Sequence, residues 1–305
     1  MALVNHQVVR SLLFDAEPTL RTVAFTGHIA HLPDVHFLLE GEYYRSGFDL
    51  VIEDSQGNRV VVTDYFGTES PPYLVASNGA VVTPAMVEHL LIADAPTVAV
   101  AGPDAWPIAP VGPAIGTVDR IVGKVLARGK DGQVRILSKG DAIYQGDVIK
   151  SAAGAQAKFV FSDGTTFQLG ENARGILDEY LFNPAAAQGQ FGVTVMTGIF
   201  RYTSGQIANI NKGAQHSTIK TPVAVVGIRG SAIDGEVTDS GETKVVLDHG
   251  NVTVSDPMGQ GSVTLAPGVG ASIPASGGPP QPFVPPPSFT NRLQSQLSSQ
   301  SFEQK

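Results

Sequence analysis

The chain has 305 residues, 42% of them apolar and 16% charged, with no cysteine and a formal net charge of −8. The apolar share supports a packed core and excludes wholesale disorder. An acidic balance with only 20 Lys and Arg excludes a phosphate-neutralising nucleic-acid binder, and zero cysteine excludes disulfide scaffolds, thiolate metal sites and thiol nucleophiles.

Residues 1–10 contain no basic stretch followed by an apolar run, so no Sec signal is visible. No apolar window approaches transmembrane length, and no membrane insertion is expected. Residues 12–14 and 23–25 read as short strands. Residues 48–53 and 59–65 are β-branched runs around Asp54-Ser55-Gln56-Gly57-Asn58, which predicts a hairpin. A second turn, Ser77-Asn78-Gly79, separates 73–75 from 80–82. Thr83 and Pro84 then predict a helix start, with Thr83 as the cap. Residues 93–115 carry five prolines and almost no charge, and read as an extended linker.

From Gly116 one theme repeats: a short Val/Ile/Phe strand, a Gly-containing turn, another short strand. Four such hairpins are predicted: 118–127 with 133–137 across Lys130-Asp131-Gly132, 158–161 with 165–169 across Ser162-Asp163-Gly164, 236–238 with 243–247 across Asp239-Ser240-Gly241, and 251–255 with 262–265 across 256–261. Phe159 and Phe161 share one strand face, as do Phe167 and Leu169, the alternation of half-buried strands. Residues 274–287 read as a second stiff Pro-rich linker. Phe289, Leu293 and Leu297 form one apolar helical stripe in the tail. The expected fold is all-β: an N-terminal β domain over 1–92, a linker over 93–115, a β-roll or sandwich over 116–273, a linker over 274–288 and an amphipathic tail over 289–305.

Catalytic signatures are missing from the sequence. Phosphate-binding glycine loops and a G-x-S-x-G elbow do not occur. His28, His31 and His36 flank Asp34, but Pro33 argues against one helical face, so they read as loop or strand surface. Asp178 and Glu179 point to opposite strand faces and read as strand-edge charges rather than a facing acid–base pair. Asp131-Gly132 and Asp163-Gly164 read as turn formers. Such turns can collect Ca²⁺, yet the nonapeptide repeat of calcium β-rolls is missing, and no cofactor is expected. Arg174 and Arg229 read as buried arginines that hold carbonyls, or a carboxylate such as Asp178 or Asp163, in a structural role.

Residues 140–273 resemble the FecR-type domain. The resemblance rests on Gly146-Asp147-Val148, Phe161-Ser162-Asp163-Gly164-Thr165, Glu171-Asn172-Ala173-Arg174, Tyr202-Thr203-Ser204-Gly205 and above all Thr221-Pro222-Val223-Ala224-Val225-Val226-Gly227-Ile228-Arg229-Gly230. Residues 47–92 are similar, more loosely, to the prefix-like domain that precedes such a module in type I-secreted, biofilm-associated adhesins. The resemblance implies a non-enzymatic, exported scaffold or anchoring protein of the cell surface or biofilm matrix. Its partners would be surface proteins or further copies of itself, associating through sparsely charged β surfaces. The alternative it implies is a periplasmic sensory module, as in iron-uptake regulators, relaying transport or ligand status.

Overall fold

β-branched runs interrupted by glycine and Asx-turn residues favour short antiparallel strands. They form them in the computed structural model, which describes residues 19–92, 112–210 and 213–297. The strand expected at 12–14 and most of the expected linker at 93–115 lie outside the described residues.

The first unit contains β1 (Leu20–Val23), β2 (Ile29–Leu32), α1 (Val35–Leu39), β3 (Glu42–Ser46), β4 (Asp49–Glu53), β5 (Arg59–Val62), β6 (Tyr73–Ala76), β7 (Val81–Val82), α2 (Pro84–Leu90) and β8 (Leu91–Ile92). β4 and β5 pair antiparallel. Their loop is tied by the Asp54 carboxylate, which accepts from the Gln56 and Asn58 amides at 2.8 and 2.9 Å. Thr83 caps α2 by accepting from the Met86 amide at 3.3 Å, with Pro84 in the first turn. The parallel pairs β1–β5, β2–β6 and β3–β8 had no sequence signal. They gather Leu38, Tyr43, Leu50, Ile52, Val60, Leu74 and Leu90 into a buried core.

The second unit runs through β9 (Ala114–Val122), β10 (Val125–Arg128), β11 (Val134–Ile136), β12 (Ala142–Tyr144), β13 (Val148–Ser151), β14 (Gln156–Phe161), β15 (Thr166–Leu169), β16 (Arg174–Asn183), β17 (Gln188–Thr203) and α3 (Ile207–Ile210). It continues with β18 (Ser217–Lys220), β19 (Val225–Ile228), β20 (Ala232–Val237), β21 (Thr243–His249), β22 (Val252–Ser255), β23 (Ser262–Leu265), β24 (Gly270–Ile273), β25 (Gln281–Phe283) and α4 (Pro287–Leu297). The strands make two faces. One runs β12-β9-β14-β15-β17-β20-β21-β24-β25 and the other β11-β10-β13-β16-β17-β18-β19-β22-β23. The all-β expectation therefore holds.

β17 belongs to both faces. Its first part pairs with β16 and β18, its last part with β15 and β20. The change of face falls at Gly198, with φ +98°. A Cβ there would lie 2.3 Å from the Ala173 Cβ, so glycine is required on both conformational and steric grounds. Between the faces, the Phe191 ring meets Phe161 edge-on at 4.9 Å and Tyr202 at a tilt, at 5.1 Å. Phe159, Phe161, Phe167 and Leu169 all point inward, as their alternation predicts.

Two sequence expectations need correction. Residues 118–127 are not one hairpin arm: the chain changes face at Gly123, φ +70°, so β9 and β10 lie in different sheets. Residues 274–288 are not wholly a linker, because β25 adds to β24 and α4 begins at Pro287. Pro282 is tolerated there because β25 is the outermost strand of its face. α4 then lays Phe289, Leu293 and Leu297 against Ile199, a small second core on the outer surface, with Arg292 paired to Glu236. Replacing Leu293 with Ala should cost about 2 kcal/mol. It should also raise amide exchange selectively in α4 and around Ile199. Unchanged exchange there would mean that α4 is held by Arg292 and its neighbours rather than by its apolar stripe.

Candidate functional site

The motif residues gather in two places. The first is a buried polar chain at one end of the sheets. The Asp163 carboxylate accepts from the Thr165 amide (3.1 Å), the Thr165 hydroxyl (2.7 Å), the Ile207 amide (3.1 Å) and the Tyr180 hydroxyl (3.1 Å). Gly164 takes φ +83° in that turn. Gly205 packs on it, its amide donating to the Thr165 hydroxyl at 3.0 Å. The Ser204 hydroxyl donates to Tyr202, whose hydroxyl meets Ser217, and Ser217 meets His216 Nδ1 at 2.7 Å. His216 Nε2 accepts from the Gly230 amide at 2.7 Å, so Nδ1 carries the ring proton and donates to Ser217. Burial pushes the His216 ring below its ordinary value, which favours this neutral form. A serine beside a histidine suggests a nucleophile, but this ring donates to Ser217 instead of taking its proton, and Ser217 is 1% exposed. The arrangement locks loops together.

The second place is the joint between the units. α1 ends with carbonyls that no helical amide can reach. Arg174, at the start of β16, supplies the missing donors: Nη1 donates to the Leu39 and Gly41 carbonyls at 2.8 and 3.0 Å. The Tyr43 hydroxyl takes the Leu38 carbonyl at 2.8 Å. Gly41 is required here, because a Cβ would lie 2.4 Å from the Phe37 carbonyl oxygen. Beside it Glu42 pairs with both Arg128 and Lys150. Burial raises the Glu42 carboxyl, but Lys150, Arg128 and Arg174 outweigh it and hold it below the usual carboxylate range. Lys150 is pulled down by burial and by the Arg174 charge, since it has more cations than anions for neighbours. Across the joint the Val81 amide donates to the Pro222 carbonyl at 2.9 Å, and Asn78 reaches the Ser240 carbonyl. Thr221, just before, is buried and accepts from the Ala224 amide at 2.9 Å. Buried side chains of the two units form one continuous core.

The family described as FecR protein matches residues 147–253. Over those residues the chain is similar to the FecR-type domain. The match covers about a third of the chain, from Asp147 at the head of β13 to Thr253 in β22, and includes both clusters of motif residues. It stops short of residues 47–92, so the prefix-like resemblance gains nothing from it. Among solved structures, a protein provisionally assigned as an anti-sigma factor from Parabacteroides distasonis ATCC 8503 aligns in two crystal structures. Each alignment has 15% identity and a TM-score of 0.37, over 45% of this chain and 59% of that one. A chain described as a cell surface anchoring domain aligns at 30% identity and a TM-score of 0.20, over 21% of this chain and 83% of that one. Superpositions this loose carry no argument about role. No curated protein matches the chain.

Other predicted residues of the FecR-type domain and its flanks are dispersed. Gly146, φ +91°, turns the chain into β13. Asp147 accepts from Arg135 at 2.5 Å and from the Tyr144 amide at 2.9 Å. Gly227 faces the Gln215 side chain, 2.4 Å from where a Cβ would stand. Arg229 corrects an expectation: its side chain is exposed in solvent, where a guanidinium keeps its hydration, and its amide donates to the Asn251 carbonyl. Arg174 holds carbonyls, not Asp178 or Asp163. His28, His31 and His36 fall before β2, on β2 and in α1, and among the described residues no three His, Cys, Asp or Glu gather as a metal site.

Asp178 also departs from its reading as a strand-edge charge. β16 pairs with β17 on one side and, as far as Leu177, with β13 and the turn before it on the other, and Asp178 sits where its register against β17 shifts. Asp178 is buried, while Glu179 on the opposite face is exposed. One Asp178 oxygen accepts from the Thr194 hydroxyl at 2.7 Å and the other has no partner. Burial pushes its carboxyl above the ordinary range, against the pull of Thr194, His89 and Lys220. The native carboxyl thus binds its proton more tightly than the unfolded one. Its destabilisation is complete above the native pKa and fades as pH falls toward the unfolded value of about 3.9. Asp178→Asn should therefore stabilise the chain by about 1 kcal/mol at pH 8, with the gain shrinking on acidification. Thermal melts at several pH values check this, and a pH-independent difference would refute it.

Proposed function

We propose that this chain is a non-enzymatic regulatory module of the cell envelope. The FecR-type domain receives a protein partner there, and the joint with the first unit passes the event on. The family match over residues 147–253 supports the reading. It is also supported by the placement of Arg174 and Pro222, both inside that match, where the two units meet. Asp163, Thr221 and one nitrogen of Arg174 hold backbone, which suits a binding role better than chemistry. Among the described residues no helix is long and apolar enough to cross a membrane, which says nothing of β-barrels. The proposed location is the periplasmic side of the envelope.

Cell fractionation combined with site-directed crosslinking from position 229 tests the reading. A discrete crosslinked partner in the envelope fraction is expected. Recovery from the cytoplasm alone would overturn it. A second reading, a scaffold that associates through strand edges, draws on β11, where Val134 and Ile136 are 61% and 68% exposed on an outermost strand. Light scattering that reports a monomer at every concentration removes it.

A further inference from the structure

A guanidinium has five N–H donors in a fixed plane. In Arg174, which is 3% exposed, Nη1 uses its two on the Leu39 and Gly41 carbonyls. Nε and Nη2 are buried and have no partner. Those two nitrogens share one edge of the plane, the fork that meets both oxygens of a carboxylate or phosphate. The Glu42 charge acts on Arg174, but Arg128 and Lys150 hold its carboxylate. Three cations therefore gather around one paired anion. Beside them opens a cleft of about 450 Å³ lined by Lys150, Arg174, Asn172 and Thr197, with Glu40 and Asp239 among its remaining walls.

We infer that this cleft binds a small oxyanion, a carboxylate or phosphate compound, chelated by the free edge of Arg174 and neutralised further by Lys150. Arg174 lines the cleft while Nε and Nη2 are buried, so binding requires the guanidinium to shift toward the cleft. The same guanidinium holds the end of α1, so occupancy bears directly on the joint. Glu40 and Asp239 oppose an anion, which makes the cleft selective for ligands whose charge is confined to one end. The site binds its ligand whether or not the domain relays anything, so the inference stands apart from the proposed regulatory role.

Calorimetric titration of the full chain at constant ionic strength tests it, with inorganic phosphate in one arm, acetate in the other, and chloride as the control. Saturable one-site binding in either arm is expected, and the arm that responds identifies the headgroup. Lys150→Gln should weaken it about tenfold, the loss of one charge-assisted contact. Arg174→Lys, which keeps the charge but loses the fork, should abolish it. If that variant fails to fold, the exposed Glu40→Gln serves instead and should tighten binding about threefold by removing a repulsive charge. No saturable binding below about 10 mM, a weak limit for a specific site, would overturn the inference and leave water in the fork. Equal affinity of the wild type, Lys150→Gln and Glu40→Gln would overturn it equally.

Discussion

Replacing Asp163 with alanine should lower the stability of the chain by about 3–5 kcal/mol, the loss expected when a buried charged acceptor is removed from its donors. Four donors converge on this carboxylate: the Thr165 amide and hydroxyl, the Ile207 amide and the Tyr180 hydroxyl. Alanine leaves all of them without an acceptor in a place that water does not reach, since Asp163 is 0% exposed. Asparagine keeps one oxygen and should lose less. Asp131 is the control, because it precedes a glycine in a similar turn but holds only the Gln133 amide, at 3.1 Å near the surface. Its replacement should cost no more than about 1 kcal/mol. Urea unfolding measures both as shifts of midpoint at constant slope. Equal losses at the two positions would show that turn geometry, not buried acceptance, governs Asp163.

Arg174→Met should cost about 3 kcal/mol, and the loss should be local. Methionine fills much of the volume but offers no donor to the Leu39 and Gly41 carbonyls, which then sit unpaired at the end of α1. The effect falls short of a fully matched buried arginine because the native guanidinium already carries unpartnered nitrogens, and methionine is relieved of their desolvation. Hydrogen exchange should rise across α1, β3 and β4 and remain unchanged in β14 and β15. A uniform rise through both units would mean that they unfold as one, and that Arg174 is an ordinary core residue rather than a clamp.

The hairpins were legible because their causes are local. Asp54 organises its turn with amides two and four residues ahead, and Thr83 caps α2 with an amide three residues ahead. The inward faces of β14 and β15 follow from alternation alone. The joint was not legible, because Arg174 meets carbonyls 133 and 135 positions away and nothing near it in the chain marks them. Nor was the burial of Asp178, which sits at a register shift of β16 against β17, a fact of sheet pairing rather than of neighbouring residues. The Pro-rich stretch after residue 273 misled for a related reason. Proline forbids a central strand but not an outermost one, and only topology separates the two.

β17 makes the two faces mechanically one body. It is 16 residues long, or about 50 Å at the rise of an extended strand, and it is hydrogen-bonded to β15, β16, β18 and β20 along its course. A load on either face is carried by this tie rod, and its bend at Gly198 prevents the faces from sliding past each other in shear.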